Sequence, residues 1–129
     1  MKFKALMLTL VLLLPGCLDS EGEEIRFNGR NLEGSDVYMF TLEDSKGPLW
    51  NLTEQEGKVV VLAFIFTRCD DTCPVTSQNL KVVYESLTED ELTKVSFVSV
   101  TVDWRHDSPS ELNNWSDRMG YDWPHLTGA

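Results

Sequence analysis

The chain has 129 residues, enough for one domain with a single hydrophobic core. Its 11 basic and 21 acidic residues give a formal net charge of −10. This balance argues against nucleic-acid binding, because no basic cluster is present to neutralise phosphates. A solvated surface that keeps the protein soluble is enough to account for the acidity.

The N-terminus predicts an export signal rather than part of the domain. Two lysines precede the apolar run 5–14, which is too short to cross a bilayer as a mature helix. Gly16 and Cys17 then resemble a lipobox, in which the cysteine receives a lipid and becomes the new N-terminus. We therefore expect a lipoprotein signal peptide over residues 1–16 with Cys17 lipidated. The alternatives are an ordinary cleaved signal or a short membrane anchor.

The next stretch, residues 17–35, is polar and acidic and predicts a tether that holds the domain, residues 36–129, off the membrane. Lipidation of Cys17 leaves Cys69 and Cys73 as the two cysteines of the mature domain. In an oxidising compartment these two tend to form a disulfide unless a reductant or a metal prevents it.

The first half of the domain reads as β-structure. Residues 37–42 predict a strand, residues 44–48 a turn and residues 49–52 a returning hairpin arm. Residues 59–66 are apolar throughout, which predicts a central strand covered on both faces.

A helix is predicted after the cysteines, because Pro74 suits a first helical turn. Its sheet-facing stripe comprises four residues at helical spacing, namely Leu80, Val83, Tyr84 and Leu87. Residues 88–91 form a polar break, and residues 95–103 predict a further strand.

A second helix is signalled by Ser108 as N-cap, Pro109 and Glu111, and Gly120 is placed to end it. Its predicted buried residues are Leu112, Trp115 and Met119. The alternation of strands and helices implies an α/β fold with a parallel βαβ core.

The remaining aromatic and imidazole side chains favour structural roles. The four tryptophans are expected to be packing residues: Trp50, Trp104, Trp115 and Trp123. His106 and His125 are expected to be surface histidines. Asp103 and Asp107 are expected to organise a loop by hydrogen bonds.

The cysteine pair is the strongest chemical signal. Cys69 lies in the loop that leaves the long strand, and Cys73 lies at the N-terminus of the following helix, where the helix dipole favours a thiolate and lowers the thiol pKa. Arg68 supports that thiolate, whereas Asp70 and Asp71 oppose it. A bound cation relieves the conflict, and thiolates suit Cu(I). A structural disulfide, a redox pair and a metal site all remain open at this point.

Three stretches resemble the SCO/SenC proteins, thioredoxin-like copper proteins involved in cytochrome c oxidase assembly. The segment 66–74, FTRCDDTCP, resembles the family's Cys-x-x-x-Cys-Pro signature. The segment 102–109 resembles its Val-Asp-Pro-x-x-Asp-Thr-Pro, and 126–128 matches its Leu-Thr-Gly. The family has proline where this chain has Asp70 and Trp104. The resemblance is collinear from about residue 36 to the last residue.

The resemblance implies a thioredoxin-like α/β fold with a central, mostly parallel sheet flanked by helices, lacking its C-terminal part. It also implies Cu(I) held by Cys69 and Cys73 and delivered to subunit II of cytochrome c oxidase, on the outer face of the cell membrane. The family's third copper ligand is a histidine beyond the Leu-Thr-Gly, which we expect beyond Ala129, because His106 and His125 do not occupy that position. We also expect the 129-residue chain to be unstable or prone to aggregation.

The alternative function is a thiol-disulfide oxidoreductase that reduces the cysteines of the same partner, with Cys69 attacking, Cys73 resolving and a thiol reductant restoring the pair. Reductases of this fold typically carry Cys-x-x-Cys, so the longer spacing here favours metal binding. A purely structural disulfide is the least favoured interpretation, because it closes a short loop and stabilises weakly.

Overall fold

The computed structural model describes residues 29–32 and 35–128. The chain divides into two units, residues 1–35 and 36–129, and the sheet and its helices belong to the second. The predicted signal peptide and Cys17 lie outside the described residues, as does most of the predicted tether. Within the described ranges, none of the helices combines the length and the apolarity needed to cross a bilayer.

The described residues contain one five-stranded sheet. Strands β1 (Thr41–Asp44) and β2 (Leu49–Asn51) form the predicted antiparallel hairpin. Strands β3 (Val59–Ile65), β4 (Val95–Thr101) and β5 (His125–Thr127) pair in parallel, and β1 joins β5 antiparallel, which gives the order β2-β1-β5-β4-β3. The parallel core is therefore confirmed.

Two boundaries in the hairpin follow from local chemistry. The turn contains Gly47 at φ 105°, a conformation that favours glycine. The first strand begins at Thr41 rather than at Val37, because residues such as Tyr38, which is 95% exposed, lie outside the sheet.

The helices begin and end largely where their capping residues indicate. Helix α1 (Thr72–Ser86) has Pro74 in its first turn, and α3 (Pro109–Met119) follows a capping box in which Ser108 and Glu111 bond each other's backbone N–H groups. Gly120 ends α3 in the left-handed conformation, at φ 67°. The predicted polar break contains a further single turn of helix, α2 (Glu89–Leu92), capped by Thr88.

The main core lies between the sheet and helices α1 and α3. Its buried members are Ile65, Phe97, Leu112, Trp115, Tyr121 and Trp123. Leu80 and Tyr84 of α1, and Leu87 directly after its last residue, pack against them. The predicted stripes are wrong at Val83, which is 48% exposed, and at Met119, which is 38% exposed. The sheet-facing positions of α1 follow a spacing of four and three residues that bypasses Val83, and Met119 is the last residue of α3.

The position of β3 contradicts the prediction that residues 59–66 form a central strand covered on both faces. Within the described chain β3 is an edge strand, because both β4 and β5 lie on the same side of it. Leu62 and Phe64 point to the sheet face opposite the two long helices, and Phe64 is 67% exposed. An exposed apolar edge strand is a template for self-association. The expected tendency to aggregate stays a prediction.

Two aromatic side chains differ from their predicted environments. Trp104 is 45% exposed and carries the Arg105 guanidinium 5.0 Å from its ring centroid, whereas the other three tryptophans are buried as predicted. His125, predicted to be a surface histidine, is 1% exposed. It occupies the first position of β5, which the sheet buries, so that prediction is wrong.

His125 is enclosed by aromatic rings. Its ring centroid lies 5.6 Å from that of Trp115, 5.7 Å from that of Trp123 and 6.2 Å from that of Tyr121. Neither ring nitrogen has a hydrogen-bond partner among the described residues. Burial lowers the pKa of His125 to about 4, even though the carboxylate of Asp44 lies nearby. The imidazole is therefore neutral at pH 7.

The buried imidazole predicts a loss of stability in acid. Between pH 6.5, its ordinary pKa, and about pH 4, the unfolded chain binds a proton at His125 that the folded chain does not. Acidification from pH 7 to pH 4 should therefore remove on the order of 3 kcal/mol through this residue. In the His125→Phe chain, which keeps an aromatic ring, we expect the pH dependence to be smaller by that amount. Urea unfolding at both pH values measures it, and equal pH dependence in the two chains would contradict the assignment.

Candidate functional site

The cysteine loop begins where β3 ends. Residues 66–71 connect β3 to α1, and the N–H of Cys69 donates to the Phe66 carbonyl at 3.2 Å. Cys69 is half-buried in this loop, whereas Cys73 is 8% exposed. Both are free thiols. The structure thus brings the two predicted site residues together at the N-terminus of one helix, with the more accessible sulfur on Cys69.

The burial of Cys73 follows from its place on α1. The helix turns Cys73, Ser77, Leu80 and Tyr84 to the same side, and this side packs against the sheet. Cys73 and Ser77 are the buried residues of the helix. A cysteine at the second helical position is therefore held in place by the packing of the whole helix.

The two thiols differ in acidity, and the pKa that is lowered belongs to Cys69 rather than to Cys73. The hydrogen bond from the Cys73 thiol, together with backbone N–H groups of residues 71–73, lowers the pKa of Cys69 below its ordinary 9.0; the Cys73 N–H lies 3.2 Å from the Cys69 sulfur. Burial, together with the hydrogen bond to Cys69, raises the pKa of Cys73. The helix N-terminus therefore stabilises a thiolate in the preceding loop, and the prediction of a low pKa at Cys73 is wrong.

A buried carboxylate fixes the start of the cysteine loop. Asp107 has no exposed surface and accepts hydrogen bonds from the Thr67 N–H at 3.0 Å and the Thr67 hydroxyl at 2.5 Å. It also accepts the Thr101 hydroxyl at 2.5 Å, and its own carbonyl accepts the Thr127 hydroxyl at 3.0 Å. Asp107 thereby joins the C-terminal ends of β3, β4 and β5, which confirms its predicted role in organising a loop.

Sequence reasoning missed Thr67 and Thr101 as the partners of Asp107. A threonine at the end of a strand has many uses, and nothing local distinguishes these two. Only the predicted strand pairing could have indicated these partners, because the C-terminal ends of adjacent parallel strands meet at one edge of a sheet.

A second polar group lies at the surface of the same edge. The Asp103 carboxylate lies 2.6 Å from the Arg68 guanidinium and 2.8 Å from Nδ1 of His106. These hydrogen bonds, the one to His106 first, lower the pKa of Asp103. His106 is exposed, as predicted. Arg68 forms an ion pair with Asp103. Hydrogen bonds, first from the Cys73 side chain, lower the pKa of Cys69, so the predicted support from Arg68 is not what lowers it.

The described residues offer two sulfur ligands for a metal ion. Within residues 29–32 and 35–128, no three His, Cys, Asp or Glu side chains form a cluster able to hold a metal. His125 is enclosed by aromatic rings and Nδ1 of His106 is bonded to Asp103. Two thiols on one loop and helix end are a soft donor set, which fits Cu(I) better than it fits harder cations.

The comparison with known proteins identifies the family. The family model described as SCO1/SenC matches residues 31–129. The chain belongs to the SCO1/SenC family. Among curated relatives, it is 28% identical to the SCO1 protein homolog of Bacillus subtilis over 96 residues, which are 72% of this chain and 49% of that protein.

Solved SCO structures share the fold. The solution structure of apo Sco1 from Thermus thermophilus is 32% identical, with a TM-score of 0.70 over 84% of this chain and 62% of that one. Yeast Sco1 with copper bound is 26% identical, with a TM-score of 0.65 over 74% of this chain and 52% of that one. The predicted thioredoxin-like α/β fold is confirmed. The SCO1/SenC chain spans about half the length of the curated relatives that it matches.

The two thiol acidities predict an order of labelling. Because hydrogen bonds lower the pKa of Cys69 and burial raises that of Cys73, iodoacetamide should modify Cys69 first as the pH rises. We expect the Cys69 rate to reach half its maximum below pH 9.0 and the Cys73 rate above it. Fragment-ion mass spectrometry of the reduced chain resolves the two positions. Earlier labelling of Cys73 would reverse the assignment.

The Asp107 contacts predict that a substitution of similar size at this position lowers the free energy of unfolding. Asp107→Asn keeps the size of the side chain but replaces charge-assisted hydrogen bonds with weaker ones, which should lower the free energy of unfolding by about 2 kcal/mol at pH 7. Asp103→Asn is the matched control, because its partners are exposed and a surface pair contributes about 1 kcal/mol or less. Urea unfolding measures both, and equal losses would show that the buried contacts of Asp107 are not special.

Proposed function

We propose that this SCO1/SenC chain binds Cu(I) through Cys69 and Cys73 and delivers it to subunit II of cytochrome c oxidase. The observation that carries the proposal is the set of hydrogen bonds that α1 directs at the Cys69 sulfur, which favours the deprotonated form that binds metal. A copper-bound relative supports the choice of metal, since yeast Sco1 is described with copper bound.

The difference between the two sulfurs suits the release of a cargo ion. Cys69 is the accessible ligand, so a thiolate of a partner protein can approach copper from its side. Cys73 is shielded by α1 and the sheet, which keeps the second ligand in place until the exchange is complete. BsSco, another relative, is described as a member of the Sco family of cytochrome c oxidase assembly proteins, which supports the proposed partner.

A second candidate function uses the same two thiols as a redox pair. The Cys69 thiolate attacks a disulfide of the partner and displaces one partner thiolate; Cys73 then attacks Cys69, which releases the second partner thiolate and leaves a Cys69–Cys73 disulfide. The partner gains two electrons, and an external thiol reductant restores the pair. The accessible, acidic Cys69 and the buried, less acidic Cys73 match the attacking and resolving roles.

The proposed location is the outer face of the cell membrane, with the chain anchored by a lipid on Cys17. The support is the lipobox-like sequence together with a structural relative described as a SCO1/SenC family lipoprotein from Bacillus anthracis, which is 31% identical with a TM-score of 0.62 over 73% of this chain and 57% of that one.

Copper titration distinguishes the two candidate functions. We expect the reduced chain to take one Cu(I) from a competing chelator, and Cys69→Ser or Cys73→Ser to weaken binding by at least about 100-fold, since each removes a direct ligand. Cys17→Ser is the control and should bind copper normally. Unchanged binding in Cys69→Ser would contradict the proposal. No copper uptake, combined with rapid reduction of a disulfide substrate, would favour the oxidoreductase.

The anchor predicts a second outcome in cells. The wild-type chain should partition into the detergent phase, because a lipid with its buried CH₂ groups holds it at the membrane. Cys17→Ala should release the chain or block its processing, whereas Cys69→Ser should leave its partitioning unchanged. A wild-type chain that stays in the aqueous phase and carries no lipid would contradict the proposed anchor at Cys17.

A further inference from the structure

A groove runs beside the cysteine loop, on the side of α3. It encloses about 310 Å³ and is lined by Thr67, Arg68, Glu111, Asn114, Trp115 and Arg118. Two of these residues immediately precede Cys69 in the chain, so a molecule in the groove lies next to the loop that carries the accessible thiol. Thr67, which lines one part of the groove, is held in place by its hydrogen bonds to the buried Asp107 carboxylate.

The groove is rich in hydrogen-bond donors on a strongly acidic chain. Arg118 forms no ion pair within the described residues, and Arg68 uses one of its nitrogens on Asp103, which leaves further N–H donors of its guanidinium. The acidic lining residue, Glu111, already accepts hydrogen bonds from the N–H and hydroxyl of Ser108. The lining therefore carries two guanidinium groups, of which Arg68 is paired with Asp103, and one carboxylate, whose Oε2 is engaged by Ser108. Arg118 is the guanidinium without an ion pair among the described residues, in a protein of net charge −10.

We propose that this groove binds a carboxylate-bearing segment of the protein that exchanges with Cys69. A guanidinium and a carboxylate pair through two parallel hydrogen bonds, which orients as well as attracts the ligand. The exposed Asn114 amide supplies a further donor. The inference deepens the proposed function, because it concerns how a partner is recognised by the same cysteine pair.

The groove predicts a preference for anionic peptides, whereas the net charge of the whole protein favours cationic ones. A net charge of −10 attracts cationic partners and repels anionic ones. A peptide that carries glutamates beside a Cys–Cys disulfide should nevertheless be reduced by the full chain faster than the same peptide with lysines, by about threefold to tenfold, with the glutamine version between them. Each reduction follows the balanced exchange described above and is measured as a second-order rate constant at low ionic strength.

Substitutions separate the groove from general charge effects. Arg118→Gln should abolish most of the preference for the glutamate peptide, and Arg118→Lys, which keeps the charge at the end of α3, should retain part of it. Lys58→Gln is the matched control, because it removes one positive charge at the opposite end of β3 and should change the preference less than about twofold. A lysine peptide that reacts fastest, or equal effects of Arg118→Gln and Lys58→Gln, would overturn the proposal.

A binding measurement keeps the inference testable if the thiols prove unreactive. In the chain with both Cys69→Ser and Cys73→Ser, the glutamate peptide should shift the backbone amide NMR signals of Thr67 and Asn114, and the lysine peptide should not. Failure of these shifts at millimolar peptide would overturn the groove while leaving the cysteine function intact. Conversely, if these signals shift while the wild-type chain does not reduce the peptide disulfide, the groove is supported and the oxidoreductase function is disfavoured.

Discussion

The buried carboxylate of Asp107 is the constraint on which the site depends. A buried charge is tolerated only when its acceptors are filled, and here Thr67 and Thr101 fill them. Because Asp107 lies one residue before the N-cap Ser108, the same contacts join the cysteine loop to the start of α3. The path of the loop between β3 and α1 is therefore determined at one end by this carboxylate and at the other by the helix.

The helix end then makes the two cysteines chemically different. Cys73 belongs to the face of α1 that packs on the sheet, so burial suppresses its ionisation. Cys69 lies in the loop in front of the same helix, where N–H groups that have no partner within a helix reach its sulfur. An accessible thiolate beside a shielded thiol suits the attacking and resolving roles of disulfide reduction, whereas copper binding also requires Cys73 to lose its proton to the incoming metal. The spacing of the pair and its affinity for copper therefore distinguish copper delivery from disulfide reduction.

The features that sequence reasoning predicted are those that local chemistry determines. The capping box at Ser108, the end of α3 at Gly120 and the turn at Gly47 each depend on a few neighbouring residues. The misplaced features depend on pairing between distant segments. Phe64 reads as a buried residue until the strand order places β3 at an edge, and His125 reads as polar until β5 inserts beside β4 and closes aromatic rings around it.

X-ray absorption of the copper-loaded 129-residue chain shows whether the sulfurs of Cys69 and Cys73 both bind Cu(I) directly. We expect a first shell that contains two sulfur atoms and no imidazole, because His125 is enclosed by aromatic rings and His106 is engaged by Asp103 at the surface. A shell with fewer than two sulfurs, or an imidazole signal that disappears in His106→Ala or His125→Ala, would contradict it.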